Sequence, residues 1–149
     1  MRGRPLFVYG TLADGRAPRA VRRALARAAR PLGRAWLRAD LYRLGAYPGA
    51  VPRPGARRLE GMLLALPRDP RLWRLLDRYE DAHPEAPARG EFRRERVVVR
   101  RLPGDRPVEA WMYVWNGPRG GRARAGRLYW GRGPKRGAQK EDEEWLAGY

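Results

Sequence analysis

Two places in the chain carry residue types able to do chemistry. The first is "LFVYGTL", residues 6–12, where four apolar residues run into Gly10 and then Thr11. Thr11 is the sole threonine among 149 residues, and serine is absent. Gly10 lets the backbone turn sharply and, lacking a Cβ, admits a ligand close to the main chain. The amides of Gly10, Thr11 and Leu12 would then point past the strand end as a nest for a carboxylate or carbonyl oxygen. The Thr11 hydroxyl would add a donor or brace the turn. The plainer reading is an ordinary strand-to-loop turn.

The second place is Glu80, in "DPRLWRLLDRYED". If residues 69–81 are helical, Leu72, Leu75, Leu76 and Tyr79 form the core stripe. Glu80 follows Leu76 by four residues and Trp73 by seven, so it borders that apolar face. It also stands in the last turn, where the helix dipole opposes negative charge. Desolvation and dipole both push its pKa up, toward the range of a general base and acid near neutral pH. The competing reading is a surface glutamate paired with arginine, which would push the pKa down instead.

Composition removes other chemistries. Without serine or cysteine there is no Ser-His-Asp or Cys-His nucleophile. With His83 the one histidine, and no cysteine, the usual zinc ligand set cannot be assembled. No GxGxxG or Walker loop stands between a strand and a helix. An enzyme built from this chain must work with carboxylates, tyrosines and backbone amides, and no metal or cofactor is expected.

The net charge of +17 invites a polyanion partner. All but two of the 33 basic residues are arginine, and isoleucine is missing, a pattern of GC-rich codon usage. Such bias explains arginine in place of lysine but not the excess of basic over acidic residues. No zinc-finger, helix-turn-helix or RNP pattern accompanies the charge. A non-catalytic basic module that binds nucleic acid or another polyanion is therefore kept as the alternative, with non-specific polyanion binding expected through the arginine-rich surface. No apolar run approaches the ~18 residues of a membrane helix, and no signal-like segment follows Arg2 and Arg4. The expectation is a cytoplasmic protein with no membrane partner.

The elements that must position these residues read as follows. Residues 6–9 form a short buried strand. "APRAVRRALARAARPL" is a helix with Pro18 in its first turn and Val21, Ala24, Leu25, Ala28 and Leu32 on one face. Residues 35–42 are a strand with Ala35, Leu37, Ala39 and Leu41 on one side. "RLGAYPGAVPRPGARR" reads as a long Gly/Pro loop, of a length often used for lids or pocket walls. Residues 60–66 are a second buried strand, and 69–81 a helix capped by Asp69 with Pro70 at its first position. Strands 92–102 and 108–117 form a hairpin about "PGDRP". In the last of them Val108, Ala110, Met112 and Val114 share one face, and Trp111, Tyr113 and Trp115 the other, so both faces should be covered. The acidic "EDEEWLAGY" suits the start of a short final helix. The order implies one α+β domain over 1–149: a small mixed β-barrel or curved sheet with two main helices. Its core spans about 5–115, followed by a basic Gly/Arg-rich segment, 117–140.

Taken together, "FVYGTL", "DLYRLGAYPGAVP", "LEGMLLAL", "LLDRYED" and "FRRERVVV", in this order and spacing, resemble the gamma-glutamylcyclotransferase-like (AIG2-like) family. The resemblance covers about residues 5–115. It implies a small mixed barrel whose opening loop, Tyr9, Gly10, Thr11 and Leu12, binds the glutamyl moiety of a small gamma-glutamyl substrate. It also implies that Glu80 is the catalytic acid/base. The implied reaction is ring closure: the α-amine attacks its own γ-carbonyl, expelling an amine and leaving 5-oxoproline. The substrate brings its own nucleophile, in keeping with the chemistries that composition removes. Three departures stand out. Phe92 occupies the position where the family commonly has tyrosine in a Y-x-R context, leaving Tyr47 or Tyr113 as candidates to line the pocket in its stead. "YED" replaces the usual Tyr-Glu-Gly, and the arginine-rich segment beyond 117 has no recognised family counterpart.

Overall fold

The computed structural model describes residues 3–10, 17–44 and 47–117. Six strands and two helices follow in chain order: β1 (Leu6–Val8), α1 (Arg19–Ala28), β2 (Arg30–Arg43), β3 (Pro48–Pro52), β4 (Arg58–Ala65), α2 (Pro70–Tyr79), β5 (Phe92–Arg101) and β6 (Arg106–Trp115). A single 3₁₀ turn, Pro87–Arg89, lies between α2 and β5. The sheet order is β3-β2-β4-β1-β6-β5, and β2 also pairs with β5, which closes five strands into a barrel and leaves β3 as an added edge. β1 runs parallel to β6; the other pairings are antiparallel. This is the α+β barrel with two helices expected from the sequence.

Alternation along the strands builds two cores. Phe7, Ala35, Leu37, Ala39, Leu63, Ala110, Met112 and Val114 fill the barrel, and Leu41 and Val108 pack against them. Residues of the opposite parity, Leu6, Val8, Met62, Leu64, Tyr113 and Trp115, turn toward the helices and meet Val21, Leu25, Leu72 and Leu76. Both faces of β6 are covered, as its sequence requires. Gly61 of β4 is needed where β1 crosses: a Cβ there would lie 2.3 Å from the Val8 carbonyl oxygen.

Three sequence expectations are corrected. The first helix ends at Ala28, not at Leu32; Ala29 is already extended, and Leu32 packs into the barrel from β2. Pro31 is the cause, since the ring of a proline disfavours helical backbone in the residue before it. Pro18 occupies the N-cap rather than the first turn. The Gly/Pro stretch is not one loop: residues 48–52 are β3, in register with Ala39–Arg43 of β2. Prolines at both ends of an edge strand cost no ladder hydrogen bonds where the edge is free, so local composition hid it. Asp69 caps α2 as expected, its Oδ1 accepting from the Arg71 N–H at 3.0 Å. No helix among the described residues is long and apolar enough to cross a membrane.

On the outer wall away from the helices, Trp36 of β2 is a landmark. The Arg58 guanidinium lies 3.8 Å from its ring centroid and that of Arg38 lies 5.8 Å away. Its Nε1–H donates to Asp105 Oδ1 (2.7 Å) in the β5–β6 turn. Neighbouring Arg34 pairs with Glu60 of β4.

Candidate active site

Glu80 is the C-cap of α2, and its N–H donates to the Leu76 carbonyl at 2.9 Å. The helical register that buries Leu72 and Leu76 turns Glu80 toward the end of β1. There it lines a cavity of about 30 Å³ with Phe7, Val8, Tyr9, Gly10, Tyr47, Pro48, Phe92 and Tyr113. The Glu80 carboxylate has no ion pair or hydrogen bond among the described residues, so no described arginine pairs with it. Burial and the nearby negative charge of Glu91 push its pKa up to about 8. The helix C-terminus acts in the same direction.

Tyr9 and Gly10 line the same cavity as Glu80. Thr11 and Leu12 lie outside the described residues, as do the basic segment beyond 117 and the closing acidic stretch. The Tyr9 hydroxyl is fully engaged: it donates to the Tyr113 carbonyl (2.8 Å) and accepts from the Ala50 N–H (3.1 Å). It therefore staples β3 to β6, and burial raises its pKa far above the ordinary phenol value. Phe92 is buried and its ring meets that of Tyr47 at 6.3 Å. No hydroxyl is offered at that position. Tyr47 stands at the head of β3, so the stretch read as a pocket wall does supply one. Its hydroxyl donates to Glu91 Oε1 at 2.6 Å, and burial with that hydrogen bond raises its pKa.

Tyr113 lines the cavity, but its hydroxyl is committed elsewhere: it donates to Asp77 Oδ1 at 2.7 Å. Arg94 of β5 reaches the same carboxylate at 3.2 Å. The Arg94 guanidinium also lies over the rings of Trp73 (4.5 Å) and Trp111 (5.1 Å). Burial pushes the Asp77 pKa up, while Tyr113 and Arg94 act against it.

Asp77 and Glu91 were not singled out from sequence. Asp77 had a signal: Trp73, Asp77 and Glu80 stand at i, i+4 and i+7, one helical face. Glu91 had none, because the loop that returns it to Glu80 has no periodicity. What closes that loop is Asp81, which has φ +51°, a left-handed conformation that glycine adopts freely and aspartate tolerates. This is the position where "YED" departs from Tyr-Glu-Gly. The aspartate adds contacts that glycine lacks: its Oδ2 accepts from the Glu91 N–H (2.9 Å), and its Oδ1 lies 2.8 Å from His83 Nε2. Gly90 makes the close approach possible, since a Cβ there would lie 1.8 Å from the Asp81 carbonyl oxygen.

The arrangement is a partly closed cavity of mixed polarity whose one carboxyl, Glu80, has no partner among the described residues, with main chain at the end of β1 on its rim. It can hold a small guest and move a proton at one atom, Glu80 Oε.

Comparisons with known proteins bear on the family and the fold. The family described as "Gamma-glutamyl cyclotransferase, AIG2-like" matches residues 6–145, so the likeness runs beyond residue 115 and takes in the whole basic segment 117–140, correcting the expectation that this segment has no family counterpart. Among solved structures, an AIG2-like protein from Mus musculus aligns with TM-score 0.58 and 24% identity, covering 76% of this chain and 78% of its own. A protein from Arabidopsis thaliana solved in solution aligns with TM-score 0.58 and 16% identity over 97% of this chain and 86% of its own. A second Arabidopsis thaliana protein aligns with TM-score 0.57 and 20% identity, over 85% and 70%. No curated protein matches by sequence. At these identities the structures establish the fold, while the family match covers nearly the whole sequence, and the chain belongs to the gamma-glutamyl cyclotransferase, AIG2-like family.

Proposed function

We propose that the protein is a cyclotransferase that releases 5-oxoproline and a free amine from a small gamma-glutamyl compound. The observation that carries this reading is the placement of Glu80 in a cavity shared with Tyr9 and Gly10, where burial and Glu91 push its pKa up to about 8. Family membership supports the reaction class.

The chemistry balances around one carboxyl. The α-nitrogen starts as an ammonium and ends as a lactam N–H, losing two protons. The leaving nitrogen starts as an amide N–H and ends as an ammonium, gaining two. Glu80 accepts a proton from the α-ammonium, the freed amine attacks the γ-carbonyl carbon, and a tetrahedral oxyanion forms. When the C–N bond to the leaving group breaks, the oxyanion re-forms the carbonyl and the electron pair goes to that nitrogen, which takes a proton from Glu80. Glu80 then removes the second proton from the ring nitrogen and delivers it to the released amine. No net proton is released, so a single shuttling acid/base suffices. Holding amine and carbonyl together supplies the larger part of the rate, since intramolecular reactions reach effective molarities of about 10⁵–10⁸ M. The acid/base adds about 10²–10⁴-fold. Backbone amides at and after Gly10 are the donors proposed for the substrate's oxygens.

A folded-state pKa of about 8 leaves Glu80 mostly protonated at pH 7 when the pocket is empty. The entering α-ammonium is an opposite charge and favours ionisation. kcat/KM is therefore expected to rise with pH and to level off above about 8.

The test is incubation with a panel of gamma-glutamyl compounds, assaying 5-oxoproline. Glu80→Gln should lose turnover by about 10²-fold or more while still binding substrate. Equal activity in the variant removes Glu80 from the mechanism. Acylating the substrate's α-amine should stop the reaction. Cleavage of the acylated compound at the normal rate would mean hydrolysis rather than ring closure.

A further inference from the structure

The mechanism above does not use Glu91, yet the chain spends several contacts on placing it. Its N–H donates to Asp81 Oδ2, its carbonyl accepts from the Asn116 N–H (2.9 Å), and Asn116 Nδ2 also donates to the Gly90 carbonyl (2.7 Å). With Gly90 seated on the Asp81 carbonyl, these contacts tie Glu91 to the α2 terminus on one side and to the end of β6 on the other. Its carboxylate then meets the Tyr47 hydroxyl, whose ring lies against Phe92 in the cavity wall.

We propose that Glu91 is a positioning residue of the pocket: it anchors Tyr47 against the cavity and sets a second negative charge beside Glu80. The proposal rests on the acid/base role given to Glu80, and it adds what controls that role. Tyr47 immediately precedes β3, the one described strand outside the closed barrel, and the Glu91 anchor fixes where its hydroxyl sits. Phe92 offers no hydroxyl; of the two wall tyrosines held by carboxylates, Tyr113 is turned to Asp77 and Tyr47 to Glu91.

The charges around Glu80 can be taken element by element. Tyr9 on the β1 end, Tyr47 before β3 and Tyr113 on β6 are all held neutral by burial. On α2, Asp77 is occupied by Tyr113 and by Arg94 from β5. Asp81 turns its carboxylate to the Glu91 N–H and to His83, which also approaches Glu85 at 3.5 Å. Among all of these, Glu91 is the group whose charge acts on Glu80, in the same direction as burial. The negative charge of Glu91 opposes ionisation of Glu80. An entering cation offsets that charge, which couples arrival of the substrate's ammonium to deprotonation of Glu80.

Three variants of the full chain separate the anchor from the charge. Glu91→Gln keeps an acceptor for the Tyr47 hydroxyl and removes the charge. Glu91→Ala removes both, and Tyr47→Phe removes the anchor alone. The Glu80 carboxyl is followed by ¹³C NMR titration, alongside the pH profile of kcat/KM. In Glu91→Gln the Glu80 midpoint should fall by about half a pH unit or more, and the rising limb of kcat/KM should move with it, leaving KM within about twofold. In Tyr47→Phe the midpoint should stay high and KM should rise about fivefold or more. Glu91→Ala should show both changes. An unchanged Glu80 midpoint in both Glu91 variants overturns the charge, and an unchanged KM in Tyr47→Phe and Glu91→Ala overturns the anchor. If the wild-type protein made no 5-oxoproline from any compound, the cyclotransferase reading would fall. The NMR titration would still decide the coupling of the two carboxylates.

Discussion

Asp77 and Glu60 each face an arginine across the outer side of the barrel, in different surroundings. Asp77 is a buried residue of α2, with its side chain 10% exposed and Arg94 at 20%. Glu60 stands on the open β2–β4 wall, 29% exposed against 28% for Arg34. Asp77 also accepts the Tyr113 hydroxyl, so its carboxylate is held from two sides by groups that are themselves fixed by packing. The wall pair is more open to water, which competes for its exposed oxygens and nitrogens. The comparison teaches that in a chain this rich in arginine, the charge pattern alone says little about where chemistry happens. What sets the pocket end apart is burial, and burial comes from the helix that lies over it.

The sharpest way to break the comparison is to truncate the buried acid. Asp77→Ala leaves the Tyr113 hydroxyl without its acceptor and Arg94 without its partner. Losing one side of a buried pair costs about 3–5 kcal/mol, which should appear as a large fall in the urea midpoint. Asp77→Asn retains an oxygen for Tyr113 and should cost less than half as much. If alanine and asparagine were equally tolerated, the buried pair would be no better held than the wall pair.

The next effect concerns Glu80, and its sign is opposite to the usual one for an acidic group. The folded protein holds this carboxyl neutral up to about pH 8, against an ordinary value of 4.5. Below that ordinary value both folded and unfolded forms are neutral, and Glu80→Gln changes little. As pH rises from there the unfolded chain ionises while the folded one does not, so the wild type loses stability until the folded group also ionises. Glutamine cannot ionise and escapes the loss. The variant should therefore be more stable than wild type by on the order of 1–3 kcal/mol at pH 8, with the gap closing on acidification. Urea titrations at the two ends of that range measure it. A variant that gained nothing at pH 8 would mean Glu80 is as well solvated as Glu60.

The two regions also differ in how far the sequence revealed them. The stripe of Leu72 and Leu76 and the alternation in residues 108–115 were legible, because burial imposes periods of 3.6 and 2 on any chain. Those two periods locate Glu80 and both faces of β6. β3 was hidden, because its pairing with Ala39–Arg43 is a tertiary contact and its five residues are mostly Gly, Pro and Ala. Glu91 was hidden for a related reason. Its place beside Glu80 depends on Asp81 turning left-handed and on Gly90 admitting the Asp81 carbonyl. A departure from a family glycine was visible at 81, but not the carboxylate it would hold. Tyr113 was legible as a pocket wall and misleading as a donor, since the acid that claims its hydroxyl lies thirty-six residues earlier.

The smallest expected effect is on the wall itself, and it is the control for the others. Glu60→Gln removes the carboxylate from Arg34 while leaving Trp36, Arg38 and Arg58 stacked as they are. Partly exposed pairs contribute about 0–1 kcal/mol, because each ion recovers hydration when its partner is lost. The replacement should also fall in effect as salt is raised, since exposed charges are screened. A double-mutant cycle on Arg34 and Glu60, run beside one on Arg94 and Asp77, measures the two couplings on one scale. The buried coupling should exceed the wall coupling at every ionic strength and change less with salt. Equal couplings would mean that the cover of α2 does not lower the local dielectric. The same lowering is what raises the Glu80 pKa, so the wall pair tests, at a distance, the physical basis of the pocket's proton chemistry.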